Sequence, residues 1–130
     1  MKKNQYKNGN KHGLCESYYS NDKLRYKGYY KDDKKHGYWE EYYYNGTISD
    51  KGYYKDGKRY GYWEYYHSNG WLWMKRNFKD DKKHGLWASY YSNDKLRYKR
   101  YFKDGKPHGY WEDYLNAKIT RDNVLIQFFL

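Results

Sequence analysis

Four histidines recur at a fixed spacing along the chain, and imidazole is the side chain that most often binds a metal or transfers a proton near neutral pH. They are His12, His36, His84 and His108, which are separated by multiples of 24 residues. Equivalent residues of adjacent two-stranded units lie about 9.6 Å apart, whereas the ligands of one zinc ion each approach it to about 2 Å. The spacing therefore predicts a role in turns and no metal site.

Carboxylates and the single cysteine are the other groups that could do chemistry. The carboxylates also recur, at Glu16, Glu40, Glu64 and Glu112 and at Asp32, Asp56, Asp80 and Asp104. A catalytic pair is normally unique, so we interpret these groups as cross-strand partners of lysine and as turn residues. Cys15 has no nearby histidine or helix start to activate it, which predicts a buried, inert thiol. Because the sequence contains no phosphate loop, dinucleotide-binding glycine motif or nucleophile elbow, we predict no enzyme, no cofactor and no small-molecule substrate.

A tandem repeat of 24 residues carries all of these positions. Glycine opens each unit at Gly13, Gly37, Gly61, Gly85 and Gly109, and two positions later come Cys15, Trp39, Trp63, Trp87 and Trp111. We predict a repeat domain over residues 1–118 and an apolar tail over residues 119–130. The domain divides into a half unit 4–12, units 13–36, 37–60, 61–84 and 85–108, and a partial unit 109–118.

Aromatic residues supply most of the apolar material, with 22 Tyr, 6 Trp and 4 Phe. Such rings favour pleated sheets. Each unit contains two turn signals, of which Asn45-Gly46 and Asp56-Gly57 suit two-residue hairpin loops. The runs between the signals have the length of strands. We therefore predict an all-β protein, an elongated single-layer antiparallel β-meander of about ten strands.

Two-residue loops at both turns predict a strand register and two faces. Trp39 then lies opposite Gly52, Gly52 faces Gly61 on the next strand, and Tyr43 lies opposite Ile48. The face predicted to be packed, called the Trp face, collects Trp39, Trp63, Trp87, Trp111, Leu24, Ile48, Leu72, Leu96, Tyr30, Tyr54, Phe78 and Phe102. The opposite face, called the Tyr face, collects Tyr42, Tyr66, Tyr90, Glu40, Glu64, Glu112, Lys27, Lys51, Lys75 and Lys99. A three-residue loop with a bulge would shift the register by one residue and exchange the faces.

The formal charge of +11 predicts attraction to anions of any kind. Basic residues interleaved with rings are typical of single-stranded nucleic-acid binders, although lysines spread this evenly favour a solubilising surface. Met1–Gln5 precede no apolar stretch of signal-peptide type, and Val124–Leu130 is far shorter than the roughly 20 residues that span a bilayer. We therefore expect a cytoplasmic protein, or one of the host cytoplasm or virion if its source is a virus.

The repeat resembles a known family in three segments of each unit. These are Gly37-Tyr38-Trp39-Glu40-Glu41-Tyr42, Asn45-Gly46 and Tyr54-Lys55-Asp56-Gly57-Lys58, with equivalents over about residues 4–118. The pattern is similar to the MORN (membrane occupation and recognition nexus) repeats, especially the longer variant of bacteria and large DNA viruses. The resemblance implies an elongated, twisted β-meander that acts in protein association, scaffolding or membrane-surface contact without a cofactor. Some bacterial members are labelled antitoxins.

The exceptions to the repeat are the candidates for partner binding. Trp71, Trp73 and Met74 interrupt unit three, and alternation places Trp71 and Trp73 on the Tyr face beside Lys75, where they suit a binding hot spot or stiffen the sheet centre. The candidate set is Trp71, Trp73, Met74, Lys75, Tyr42, Tyr66, Tyr90, Val124, Leu125, Ile126, Phe128, Phe129 and Leu130. The tail either caps the last edge strand or docks onto a partner or a second copy.

We predict a non-enzymatic protein that mediates protein association or scaffolding. The alternatives are a binder of anionic phospholipid or nucleic acid and an antitoxin-like inhibitor of a partner toxin.

Overall fold

The computed structural model describes residues 2–116 and 123–130, which form one open antiparallel sheet with its strands in chain order. The strands are β1 (Lys2–Lys7), β2 (Asn10–Tyr18), β3 (Leu24–Lys31), β4 (Lys34–Tyr42), β5 (Ile48–Lys55), β6 (Lys58–Tyr66), β7 (Leu72–Lys79), β8 (Lys82–Lys83), β9 (Gly85–Tyr90), β10 (Leu96–Lys103), β11 (Lys106–Tyr114) and β12 (Val124–Phe129). The described residues contain no α-helix. Since β8 and β9 are two pieces of one strand path, the repeat contributes ten paths, and the predicted single-layer meander is confirmed. The predicted boundary between residues 118 and 119 lies outside the described residues.

The second turn of each unit is the two-residue loop that the sequence predicts. Lys55 pairs with Lys58, and Asp56 and Gly57 have φ values of 49° and 85°, as a type I′ turn requires. Asp33 and Asp81 occupy the glycine position in other units, each with φ 65°. Their carboxylates accept backbone hydrogen bonds of 2.7 and 2.8 Å from the preceding unit, which offsets the strain.

The first turn differs from its prediction. The Tyr43 amide donates to the Thr47 carbonyl at 2.8 Å, so the loop has three residues, with Gly46 at φ 92°. Ser49 is then the extra residue of a bulge, which restores the predicted pairing of Trp39 with Gly52. The predicted pairing of Tyr43 with Ile48 is wrong, because Ile48 pairs with Tyr42 on the Tyr face. The same correction holds for Leu24, Leu72 and Leu96, which pair with Tyr18, Tyr66 and Tyr90.

The predicted pairing of Gly52 with Gly61 is also wrong. Lys51 pairs with Glu64 and Tyr53 with Tyr60, so the register shifts by two residues around Gly61 and both faces are kept. The indole that covers Gly52 is consequently that of Trp63, and a Cβ at Gly52 would lie 2.1 Å from its ring. Gly28 is covered in the same way by Trp39.

The core is a chain of rings on the Trp face. Trp39 and Trp63 are 1% and 2% exposed, and the Tyr54 ring lies 5.8 and 5.0 Å from theirs, edge to face. No second layer formed by the described residues covers this face, and cations cover it instead: Lys35 Nζ lies 4.5 Å from the Trp39 ring centroid and Arg59 Cζ 4.1 Å from that of Phe78. Their methylene stems shield the rings, and their charged ends reach water.

Arg76 and Arg100 occupy the position of Gly28 and Gly52 in units three and four. There the guanidinium stacks on the tryptophan: Arg76 lies 4.4 Å from the Trp87 centroid and Arg100 4.8 Å from that of Trp111. Arg100 also binds both carboxylate oxygens of Asp113, at 3.0 and 2.9 Å. Glycine and arginine thus provide two ways of packing the same indole.

Candidate partner-binding surface

A row of mostly aromatic side chains, called the tyrosine row, crosses the Tyr face from β2 to β12. Its cross-strand pairs are Leu14–Tyr29, Tyr38–Tyr53, Tyr62–Asn77, Leu86–Tyr101 and Tyr110–Phe128. Exposed fractions are 46% for Tyr29, 54% for Tyr53, 46% for Tyr62, 53% for Tyr110 and 61% for Phe128. Sequence reasoning missed this row, although most of its tyrosines recur at fixed places in the repeat and could have been found there.

A ladder of alternating charges lies beside the tyrosine row. In strand order it runs Glu16, Lys27, Glu40, Lys51, Glu64, Lys75, Ala88, Lys99 and Glu112. Lys51 Nζ lies 3.5 Å from Glu64 Oε1, and Lys51 and Lys75 also lie over the rings of Tyr66 and Tyr90. The four lysines and four glutamates balance, so the excess positive charge of the chain lies elsewhere.

Two tyrosine hydroxyls of this face have a raised pKa. Burial, together with the hydrogen bond that Tyr42 donates to Glu40 at 2.8 Å, raises the pKa of Tyr42 to about 12. Burial and the charge of Glu64 raise the pKa of Tyr62 to about 12. Both hydroxyls therefore keep their protons over the physiological range of pH.

Part of the excess positive charge lies at the second turns, where the strands end; this row of turns is called the basic edge. Exposed lysines pair across each turn there, namely Lys31 with Lys34, Lys55 with Lys58, Lys79 with Lys82, and Lys103 with Lys106. Like charges placed directly opposite each other are unfavourable within a sheet. The eight lysines outnumber the six aspartates of the same turns, so the basic edge keeps a net positive charge that suits an anionic surface.

The structure places Trp71 and Trp73 away from Lys75, contrary to the prediction. A bulge at Trp73 offsets the alternation, so that Leu72 pairs with Tyr66 on the Tyr face and the two tryptophans lie toward the Trp face. There the His67 ring stacks on Trp71 at 4.8 Å and contacts Trp73 edge-on at 6.4 Å.

Met74 is also on the Trp face. It is 9% exposed and its sulfur lies 3.0 Å from an Arg76 nitrogen, so it packs inside the sheet. Of the predicted residues, the structure does bring Lys75, Tyr42, Tyr66 and Tyr90 onto one face.

His67 stands at a position where other units have tyrosine. Its equivalents Tyr19, Tyr43 and Tyr91 each donate a hydroxyl hydrogen bond to a backbone carbonyl of the next unit, at 2.5 to 2.7 Å. His67 stacks instead on the Trp71 indole of its own unit.

The other histidines lie at the second turns. His36 Nδ1 accepts a hydrogen bond of 3.3 Å from the Asp56 amide, and His84 accepts one of 3.4 Å from Asp104. Each contact joins one unit to the turn of the next, which is the turn role that the spacing predicts. Among the described residues, no group of three or more histidine, cysteine or acidic side chains could hold a metal ion. Cys15 is buried with 0% exposure, as the sequence predicts.

Glu41 and Asp50 form an acidic pair that sequence reasoning missed. They are cross-strand partners on the Trp face, and Ser49 Oγ donates a 2.7 Å hydrogen bond to Asp50. Burial raises the pKa of both carboxyls, and the charge of Asp50 raises that of Glu41 further, although Lys35 opposes both shifts. The pair occurs in one unit only, so it has no counterpart in the period.

Replacing Asp50 tests how much the ionised carboxylates of this pair destabilise the fold. A raised folded-state pKa means that ionisation destabilises the fold as pH rises, so Asp50→Asn is expected to raise the melting temperature at pH 7 by a few degrees. The gain should vanish below about pH 4, where carboxyls are protonated in the folded and unfolded states. Thermal unfolding followed by circular dichroism measures both. The control Glu64→Gln removes a carboxylate paired with Lys51 and should not raise the melting temperature; equal gains from the two variants would refute this account.

The C-terminal tail caps the last edge of the repeat. β12 pairs with β11 from Gly109–Phe129 to Tyr114–Val124, and the Phe129 ring lies 4.7 Å from that of Trp111. Leu125, Ile126, Phe128 and Leu130 are nonetheless 49%, 57%, 61% and 100% exposed. Capping and docking are therefore compatible, because β12 covers one edge and presents another.

The fold defines an all-β tandem-repeat protein in which each hairpin contacts mainly its neighbours. The chain belongs to the MORN repeat variant family, whose model matches residues 11–32, 35–56, 59–80 and 83–104. MORN repeats are generally non-enzymatic and are associated with protein or membrane-lipid binding. No curated protein matches the chain. No helix in the described residues is long and apolar enough to cross a membrane.

Proposed function

We propose that this chain is a non-enzymatic repeat protein that binds a partner protein through the tyrosine row. The observation that carries the proposal is that about half of each of Tyr29, Tyr53, Tyr62 and Tyr110 is exposed, on a face that no second layer of described residues covers. Tyrosine is enriched in protein interfaces because its ring buries a large area with few rotatable bonds and its hydroxyl can still form a hydrogen bond.

The balanced ladder beside the row favours a protein over a polyanion on this face. Each lysine of Lys27, Lys51 and Lys99 lies opposite at least one glutamate, so the face offers no continuous positive track for phosphates. Alternating charges next to rings suit the polar rim and aromatic centre of a protein interface. At about 4.8 Å per strand, the row offers a platform about 50 Å long.

Substitution of two neighbouring tyrosines tests the proposal. Proteins retained by the wild-type chain are identified by mass spectrometry, and affinities are measured for the wild type and for Tyr53→Ser/Tyr62→Ser. We expect at least a tenfold loss, because central interface tyrosines contribute about 2 kcal/mol each. The control is Tyr6→Ser/Tyr44→Ser, which changes two tyrosines that are 61% and 56% exposed outside the row. If both double variants bind the partner as tightly as the wild type does, the proposal is overturned.

The basic edge supports a second candidate function, contact with an anionic phospholipid surface. The exposed lysine pairs at four successive turns line one edge of the sheet, where each lysine near such a surface contributes about 1 kcal/mol. Vesicles that contain phosphatidylserine should then bind the wild type strongly at low salt and weakly at physiological salt. Lys55→Gln/Lys58→Gln should weaken that binding and leave protein binding through the tyrosine row intact. Salt-independent binding would exclude this candidate.

A further inference from the structure

Of the two edge strands of the described sheet, β1 and β12, only β12 contains no charged residue. β12 consists of Val124, Leu125, Ile126, Gln127, Phe128 and Phe129, and on its outer side no described strand pairs with it. A long apolar edge strand with unpaired backbone groups is a template for a further strand. Since half or more of Ile126 and Phe128 remains exposed, capping of the repeat by β12 leaves this edge to be covered.

The opposite edge of the sheet is protected. β1 has the sequence Lys-Lys-Asn-Gln-Tyr-Lys, and its register shifts between Asn4 and Tyr6. Lysine and irregular pairing are the features by which edge strands avoid further pairing. A head-to-tail contact of β12 with β1 of another copy would therefore lose regular hydrogen bonds and bury lysine.

We propose that two copies of this chain pair through β12, antiparallel and symmetric about Gln127. In that register Gln127 meets its own counterpart, Ile126 meets Phe128, and Leu125 meets Phe129. Every side chain other than the two amides then has an apolar partner, and glutamine side chains can form hydrogen bonds with each other.

The symmetry also keeps like faces together. Phe128 and Ile126 both lie on the Tyr face, because their partners on β11 are Tyr110 and Glu112. A two-fold axis perpendicular to the sheet joins the Tyr face of one copy to the Tyr face of the other, and the Trp faces likewise. The result is one continuous sheet with an isologous, closed interface, which does not propagate into fibres.

Charge favours the same site of contact. Each chain carries +11, so two copies repel each other wherever their basic surfaces meet. β12 and its neighbour in the tail, Leu130, are uncharged over seven consecutive side chains. Pairing through β12 also leaves the lysine pairs of the second turns exposed to water.

A disulfide cross-link tests the register directly. In Gln127→Cys the two introduced thiols face each other across neighbouring strands, within the roughly 7 Å between Cα atoms that a disulfide can bridge. The matched control is Leu125→Cys, whose counterpart lies four residues away along the partner strand, about 14 Å distant. Under mild oxidation, Gln127→Cys should yield a covalent dimer and Leu125→Cys should not. Equal cross-linking of both variants, or of neither, would overturn the proposal; the buried Cys15 is common to both.

Sedimentation velocity gives an independent test. We expect the wild type to sediment as a dimer and Ile126→Lys, whose side chain lies outside the tyrosine row, to have a dissociation constant at least tenfold higher. Tyr6→Lys places the same charge on β1 at a side chain that is 61% exposed, against 57% for Ile126, and should remain dimeric. A monomeric wild type, or loss of the dimer in Tyr6→Lys alone, would contradict pairing through β12. Loss of the dimer leaves the tyrosine row of each copy unchanged from Tyr29 to Tyr110, so failure here is distinguishable from failure of partner binding.

Discussion

Gly52→Ala is expected to lower the free energy of unfolding by about 3 kcal/mol, a large share of the stability of a domain of this size. The added methyl would lie 2.1 to 2.4 Å from three atoms of the Trp63 indole, closer than Cβ contacts in proteins allow. The ring must move, and it is 2% exposed between Tyr54 and Tyr65, which lie 5.0 and 6.2 Å away. Movement therefore disturbs the centre of the ring chain.

Urea denaturation measures this effect, and two further variants isolate its cause. Gly70→Ala has no atom within 4 Å of its new Cβ but imposes a φ of 92° on alanine, so it should cost only about 1 kcal/mol. In a Trp63→Leu background, Gly52→Ala should lose most of its effect, because the obstructing ring is gone. A cost for Gly52→Ala no larger than that for Gly70→Ala would show that the indole contact is not what requires glycine.

Arg76 and Arg100 show that a side chain at this repeat position does not destabilise every unit. Trp87, which meets Arg76, is 7% exposed, whereas Trp39 over Gly28 is 1% exposed. The guanidinium replaces the flat contact of indole on backbone with a stacked cation. The alanine methyl of Gly52→Ala would clash with the indole and provide no stacked cation in return. At this position alanine should therefore destabilise the fold more than arginine does.

Much of the fold could be predicted from the sequence because each weak turn or strand signal recurs in every unit. Asp56-Gly57 alone would be an uncertain turn, but its equivalents fix the spacing, and the structure has two-residue loops at each of them. The pairing of Trp39 with Gly52 was also predicted correctly, although the indole that covers Gly52 is that of Trp63.

The bulges were not predictable from hydrophobic alternation. A three-residue loop shifts the register by one residue, and Ser49 or Trp73 shifts it back within the next few residues. The net register of each hairpin is unchanged, so alternation remains correct for Trp39 and wrong for Ile48. The positions that it misassigned, including Trp71 and Trp73, all lie between the loop and the bulge.

The candidate surface was harder to predict than the fold because repetition hides it. The residues predicted to bind a partner include the departures from the repeat, and one of these, Met74, is buried. The tyrosine row consists largely of recurring residues, which were explained as parts of the sheet. In a single-layer sheet, consecutive residues of one strand can have different roles: Trp63 is buried on the Trp face, whereas Tyr62 is 46% exposed on the Tyr face.

Phe129→Ala is expected to release β12 from the sheet without unfolding the repeat. The Phe129 ring packs 4.7 Å from Trp111, which in turn contacts Phe102 at 5.3 Å, so it connects the tail to the core on the Trp face. Loss of a partly buried phenylalanine costs about 2 kcal/mol, which corresponds to roughly thirtyfold faster hydrogen exchange in β12.

The neighbouring Phe128 is the matched control for this release. It is 61% exposed and meets only the edge of Tyr110, so Phe128→Ala should accelerate exchange in β12 less than fivefold, by about 1 kcal/mol or less. Both variants are compared in an Ile126→Lys background, so that self-association does not protect the strand. Because hairpins of a repeat protein depend mainly on their neighbours, exchange in β5 and β6 should stay unchanged in both. Equal acceleration by the two variants, or loss of protection as far as β5, would mean that β12 is not held by its inner face.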